Sequence, residues 1–222
     1  MESFIFNNVS SDDLGLIIKE MPPIVRPSKN IESIKVNGRN GNLHIDNGTY
    51  DSYNITISCI INDLTKLDQN KNILQGTGDL QLSTVPGRTF KATIKNQIDF
   101  SKYLRVLREF PLQLEIEPIS YGSETTVNYS TNATLTISGN VDTYPTIVVY
   151  GTGTITINNV SVEVLETGIT INCDLMECVK NNINKNSCVI LDEFPKLSPG
   201  NNSITLNSGI TSISISYKEG WL

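Results

Sequence analysis

The four cysteines and the single histidine are the residues whose types could support metal binding or nucleophilic catalysis. Cys173, Cys178 and Cys188 lack the two-residue gap of paired zinc ligands, and His44 lies far from them in the chain. Cys59 and Cys173 fall in the apolar register of strand patterns, which favours buried thiols. We therefore expect no metal and no cofactor, and thiols that stay reduced in a cytoplasm.

Carboxylates and a catalytic triad are the other routes to chemistry. Glu115 and Glu117 could converge on a sugar as glycosidase carboxylates do, but they alternate with apolar residues, which is typical of the solvent face of a strand. A triad would have to use His44, and its position between Leu43 and Ile45 predicts an outward side chain. The glycines of residues 151–157 open a strand rather than a phosphate-binding helix. The sequence therefore predicts a protein that is not an enzyme.

Charge and hydropathy exclude two further classes. The 222-residue chain has a net charge of −6, which argues against a protein that grips phosphates, although DNA could pass nearby without being held. The most basic stretch, residues 100–110 with Lys102, Arg105 and Arg108, predicts a short helical turn or loop and a subunit contact or solvated surface. No apolar run reaches the roughly 18 residues of a membrane span, and residues 1–8 do not resemble a signal peptide.

The pattern of elements predicts a mainly β chain of two domains. Alternating strands fill both halves, and the clearest helix is a short one at Asn62–Gln75. A polar stretch with little pattern, residues 120–132, marks the boundary, which gives domains 1–121 and 122–222. We expect a β-sandwich-like first domain with one short helix and a hairpin extension, and an antiparallel β-sandwich as the second domain.

The hairpin is the most specific stretch of the first half. Two apolar arms, Ile34 with Val36 and Leu43 with Ile45, enclose a tip that contains two Asn-Gly steps and no reactive group. With the extended connection at residues 22–30, it is a candidate arm that reaches a neighbouring subunit. A hairpin folded onto its own domain is the alternative. The candidate contact residues are Val36, Asn37, Gly38, Arg39, Asn40, Gly41 and Leu43.

Ordered fragments along most of the chain resemble the distal tail protein (Dit) family of long-tailed phages and phage-tail-like particles. In the first half these are the Gly-Arg-Asn-Gly-Asn-Leu turn with its following strand (residues 34–61), the strand–proline turn–strand segment (residues 78–94) and the closing strand (residues 110–122). In the second half they are residues 132–157 and the Pro-Gly-Asn segment of residues 194–209. The resemblance implies a galectin-like sandwich for the second domain.

What this resemblance implies is a structural role at the distal end of a virion tail. Such proteins form a ring, commonly a hexamer built through the first domain, that joins the tail tube to tail-tip or baseplate proteins. The galectin-like domains anchor peripheral adsorption proteins, and DNA passes through the channel without specific binding. The protein would be made in the cytoplasm of a bacterial host.

A lectin-like module that binds a cell-surface glycan through the second domain is the alternative function. Its candidate aromatic residues are Tyr144, Tyr150, Tyr217 and Trp221, which form no persuasive cluster in the sequence. The chain lacks the carbohydrate-binding insertions of longer members of the resembled family. Galectin-like folds also occur without a sugar site, since a fold does not fix a function.

Overall fold

A computed structural model describes residues 2–95 and 109–222 of the chain. These residues fall into two compact units, Met1–Ser120 with Leu222, and Tyr121–Trp221. Strands dominate both units and the helical content is small, so the prediction of a mainly β fold is confirmed. Lys102, Arg105 and Arg108 lie outside the described residues, and the end of the predicted helical turn, Glu109–Phe110, begins a strand instead.

The first unit has nine strands among its described residues. They are β1 (Phe4–Phe6), β2 (Val9–Ser10), β3 (Leu16–Glu20), β4 (Lys29–Lys35), β5 (Asn42–Tyr50), β6 (Tyr53–Ile61), β7 (Thr77–Leu82), β8 (Thr89–Ile94) and β9 (Glu109–Tyr121). The predicted helix is present as a 3-10 turn, Leu64–Lys66, followed by helix α1, Leu67–Ile73. The Asp63 carboxylate accepts the backbone N–H of Thr65 at 3.0 Å, which supports the start of this turn.

One hydrogen-bonded sheet, in the order β2-β1-β7-β8-β9-β6-β3, holds most strands of this unit, instead of two separate facing sheets. Its core follows the period of two: Ile57 lies opposite Leu112, and Cys59 opposite Phe110, and all four are buried. Leu74, at the end of α1, packs into the same core. The alternation read from the sequence therefore places the buried face of β6 and β9 correctly.

The second unit is formed by two antiparallel sheets with one shared core. Their strands are β10 (Thr125–Tyr129), β11 (Ala133–Ile137), β12 (Thr146–Gly151), β13 (Gly153–Ile157), β14 (Val160–Val164), β15 (Ile169–Asn172), β16 (Glu177–Lys180), β17 (Ile183–Asn184), β18 (Val189–Leu191), β19 (Gly200–Leu206) and β20 (Ile210–Tyr217). A last short strand, β21 (Gly220–Trp221), belongs to neither sheet. The sheet orders are β10-β20-β12-β15-β16-β17 and β11-β19-β13-β14-β18. A 3-10 turn at Asn186–Cys188 is the small departure from the expected all-strand half.

Strand β10 lies in the stretch that the sequence predicts to be unpatterned. It pairs with β20 along its whole length, from Thr125 opposite Tyr217 to Tyr129 opposite Ile213. Val127 and Tyr129 are only half-buried, so the alternation in this polar strand is weak. Residues 125–129 form a strand because they pair with β20, not because their own sequence is strongly alternating. The sequence pattern therefore does not indicate β10.

A buried asparagine anchors the turn that leads into β19. Asn202 is fully buried, and its side-chain oxygen accepts the backbone N–H of Ser198 at 2.8 Å and Nδ2 of Asn158 at 2.9 Å. Its Nδ2 donates back to the Ser198 carbonyl at 2.8 Å. Asn158 occupies the left-handed region at φ 53°, at the turn between β13 and β14. These bonds fix the turns of two adjacent strands to each other.

Candidate assembly surface

The predicted hairpin forms a separate two-stranded sheet, which we call the arm (residues 29–50). Strand β4 pairs with β5 through Ile34 opposite Leu43 and Lys35 opposite Asn42, and the tip is residues 36–41. A backbone hydrogen bond from Asp51 N–H to the Ser28 carbonyl, at 2.9 Å, closes the base. Positive φ falls on the tip glycines, Gly38 at 85° and Gly41 at 81°, as the two Asn-Gly steps predict.

The arm contributes no hydrophobic side chain to the core of its unit. Between Met21 and Tyr53, Pro27 is the single buried residue. All of β4 is exposed, and so is β5 up to its final residue, Tyr50. In the isolated chain the arm is therefore not folded onto its own domain, which was the alternative drawn from the sequence.

The arm is nevertheless amphipathic. Residues directly opposite each other share a face, so Ile34, Val36, Leu43 and Ile45 lie on one side of the two strands, and the exposed Glu32, opposite Ile45, borders them. Each of these four side chains is between 37% and 40% exposed. We call this surface the apolar face of the arm. Exposed apolar residues grouped on one face of a hairpin are typical of a surface that another protein covers.

The other face is mostly polar, although Ile31, opposite Asp46, also lies on it. Ser33 lies opposite His44, and Asn42 Nδ2 donates to Ser33 Oγ at 3.0 Å. Lys29 Nζ pairs with the Asp46 carboxylate at 2.5 Å, which raises the pKa of Lys29 and lowers that of Asp46. His44 is exposed, in the outward position that its alternation predicts. The polar groups of this face therefore have local partners or contact solvent, and Ile31 is its one exposed large apolar residue.

Six of the seven candidate contact residues fall at the tip, Val36 to Gly41, and the seventh, Leu43, lies in β5. The candidate set omits Ile34 and Ile45, which complete the apolar face. The signal that identifies them is the period of two across both strands, because it assigns four apolar residues to one side. Whether a neighbouring copy contacts these residues stays a prediction.

Of the groups with potential chemistry, the cysteines and Glu115 lie apart from the arm, which carries only His44. Burial raises the pKa of Cys59 and of Cys173 to about 12, and that of Cys178 to about 11, and all four cysteines are free thiols. Glu115 pairs with Lys95 at 2.5 Å on the outer side of β9. Within residues 2–95 and 109–222, no group of three or more potential ligands could hold a metal ion.

The strongest charged cluster ties turns of the second unit together. The Glu166 carboxylate accepts hydrogen bonds from Lys180 Nζ and Lys185 Nζ, both at 2.8 Å, and these bonds lower its pKa to about 2. Cys188 Sγ lies 3.6 Å from the same carboxylate. Because the Glu166 carboxylate accepts hydrogen bonds from two ammonium groups, the cluster joins a turn to β16 and is poorly suited to proton transfer.

The aromatic residues considered for glycan binding are dispersed. Tyr217 is buried in the core, and Trp221 lies against Gly122. Tyr144 and Tyr150 are exposed, but they lie before and within strand β12, near its opposite ends. No helix within the described residues is long and apolar enough to cross a membrane.

Comparison with known proteins gives this arrangement a family context. Residues 124–221 match the model of the siphovirus-type tail component, C-terminal domain. The whole chain is similar in fold to the crystal structure of the SPP1 Dit protein, with a TM-score of 0.76, 13% identity and coverage of 100% of both chains. The resemblance to the distal tail protein family is confirmed.

The SPP1 protein is described as a paradigm of the hub adsorption apparatus in phages that infect Gram-positive bacteria. No curated protein matches the chain.

Proposed function

We propose that this chain is a structural distal tail protein, the baseplate hub of a phage or phage-tail-like particle. Copies form a closed ring, commonly a hexamer, between the tail tube and the tip or baseplate proteins. The second units anchor peripheral adsorption proteins, and the chain performs no catalysis. The family match of residues 124–221 and the Dit-like fold support this function.

The observation that carries the assembly part of the proposal is the uncovered apolar face of the arm. A closed ring requires that one surface of each copy meets a different surface of the next. Ile34, Val36, Leu43 and Ile45 offer such a surface on an element that its own unit leaves exposed. Covering them contributes about 1 kcal/mol per side chain, which favours contact with a neighbouring copy.

The net negative charge of the chain fits a channel through which DNA passes without being bound. The net charge of −6 gives a ring of copies no general attraction for phosphates. Within the described residues, eight lysines are held in ion pairs with carboxylates, which lowers their availability further. Such a channel wall would let DNA slide instead of binding it.

Removal of the tip tests the assembly role of the arm. Deletion of residues 37–42 is expected to lower the oligomer mass measured by light scattering. The second unit should stay folded, as reported by the fluorescence of the single tryptophan, Trp221. An unchanged oligomer mass would contradict the proposal.

A pair of cross-strand double variants separates the two faces of the arm. Ile34→Ser with Leu43→Ser removes apolar surface and should weaken the oligomer. Ser33→Ala with His44→Ala alters the opposite face at adjacent positions of the same register and should leave the oligomer intact. Equal effects of the two variants would show that the apolar face is not the contact surface.

A further inference from the structure

All three Asn-Gly steps of the chain lie on the arm, at residues 37–38, 40–41 and 47–48. Every other asparagine is followed by a residue with a side chain. Glycine leaves the backbone nitrogen unobstructed and the backbone free to rotate. That nitrogen can therefore attack the side-chain carbonyl of the preceding asparagine, which is the first step of spontaneous deamidation.

The two steps at the tip are open to this reaction. Within the described residues, the structure gives no hydrogen-bond partner to the side chains of Asn37 and Asn40 or to the N–H groups of Gly38 and Gly41. No heavy atom lies within 4 Å of the position that a Cβ would take at either glycine, as is also true of Gly48, so the tip steps differ from the third step in hydrogen bonding alone. Nothing therefore holds the reacting groups apart or blocks the cyclic intermediate.

The third step is restrained. Asn47 and Gly48 lie inside strand β5, and the Gly48 N–H donates to Asp46 Oδ1 at 2.9 Å. The same carboxylate is paired with Lys29 across the arm. The nitrogen that would have to attack the Asn47 carbonyl is thus engaged by an acceptor that is itself fixed.

We propose that the arm tip is a site of spontaneous modification, at which Asn37 and Asn40 deamidate while Asn47 is protected. The glycine nitrogen loses its proton and bonds to Cγ of the asparagine, the Cγ–Nδ2 bond breaks, and ammonia leaves with a proton taken from solvent. Water then opens the succinimide at one of its two carbonyls. The products are aspartate and isoaspartate, each with a new carboxylate.

The product changes the tip in two ways. Arg39 is the only charged residue of the tip, and two new carboxylates beside it would turn a cationic tip into an anionic one. Isoaspartate also inserts an additional methylene into the backbone between β4 and β5. If the tip contacts a neighbouring copy, which rests on the proposed function, modified free chains assemble poorly and assembled chains are protected.

The test measures the three sites separately. The native chain is incubated at mildly alkaline pH, digested briefly with trypsin at lower pH, and analysed by mass spectrometry with electron-transfer fragmentation. Cleavage after Lys35 and Arg39 isolates Asn37 on its own peptide, and fragment ions resolve Asn40 from Asn47. We expect Asn37 and Asn40 to convert several-fold faster than Asn47. Equal rates, or a faster Asn47, would overturn the proposal.

Two controls connect the rates to the structure. Asp46→Ala removes the acceptor of the Gly48 N–H and should bring Asn47 towards the rates of the tip sites. In denaturant the three sites should convert at similar rates. An unchanged Asn47 rate in Asp46→Ala would refute its protection by this hydrogen bond.

Separate monomer and oligomer fractions distinguish this inference from the proposed function. Slower conversion of Asn37 and Asn40 in the oligomer than in the monomer supports both the modification site and the contact of the tip with a neighbouring copy. Equal conversion in the two fractions refutes protection by assembly. A chain that stays monomeric contradicts the ring, while the order of the three rates in that monomer still decides the modification site.

Discussion

Ile34 and Leu43 lie directly opposite each other on the two strands of the arm, and 37% of each side chain is exposed. An isolated two-stranded hairpin is marginally stable in water, and this one has no cover from its own unit. A partner that covered the arm would therefore both stabilise the hairpin and remove its apolar side chains from water.

The arm should be the first segment cut by trypsin in the free chain. Exposed loop tips are preferred sites of proteolysis, and Lys35 and Arg39 lie at the tip. Mass spectrometry of a limited digest should show cleavage there before cleavage in the strands of the core. Lys35→Gln with Arg39→Gln is the control that removes both sites. Early cuts elsewhere with an intact arm would contradict this account.

Asn202→Ala should destabilise the second unit by about 3 kcal/mol, because it leaves several buried backbone groups without a partner. The neighbouring Asn201→Ala is the matched control. Asn201 is exposed and accepts one hydrogen bond from Thr136 Oγ1, so a loss of about 1 kcal/mol or less is expected. Urea unfolding followed by Trp221 fluorescence measures both, and similar losses for the two variants would disprove the anchoring role of Asn202.

Alkylation should distinguish Cys188 from the other three cysteines. Burial raises the pKa of Cys59 and Cys173 to about 12, and it raises that of Cys178 to about 11, so little thiolate forms at neutral pH. Cys188 is only half-buried and should react first with iodoacetamide in the native chain. Cys188→Ser should abolish this early labelling. Labelling of all four thiols at one rate before unfolding would contradict the buried placement.

Glu166 should make the second unit sensitive to acid. Its hydrogen bonds from Lys180 and Lys185 lower its pKa in the folded state from 4.5 to about 2. The folded state therefore binds this proton less tightly than the unfolded state. The contribution of Glu166 is complete above about pH 4.5 and is lost as the pH falls towards about 2.

Glu166→Gln should accordingly be less stable than the parent chain at neutral pH, and the difference should vanish in strong acid. Glu163→Gln, at an exposed position of β14, is the control and should follow the parent chain throughout. Urea unfolding at a series of pH values measures the three curves. A Glu166→Gln difference that is independent of pH would exclude this ion cluster as its source.

The sequence predicts features with strong local patterns and misses those that depend on neighbours. Two features depend only on residues that are close together in the sequence, and their positions are predicted well. They are the alternation of apolar residues in β6 and β9 and the glycines of the arm tip. Strand β10 depends on pairing with β20, and the ion cluster of Glu166 joins residues up to nineteen positions apart. Such contacts have no local signature, because the fold alone brings the partners together.

The arm shows the same division within the candidate site. Its tip is predictable from the two Asn-Gly steps, and the apolar face follows once the register of Ile34 with Leu43 is known. The exposure of that face is not predictable, because an alternating hairpin could equally pack onto its own sheet. The structure leaves it uncovered.

Electron microscopy of the purified protein, with light scattering on the same sample, measures mass and symmetry and so decides whether copies of the chain close into a ring. We expect closed rings, commonly sixfold, that weaken when Ile34 and Leu43 are both changed to serine. A chain that stays monomeric at every concentration measured, or that forms open filaments, would contradict the assignment of this protein as a ring-forming tail hub.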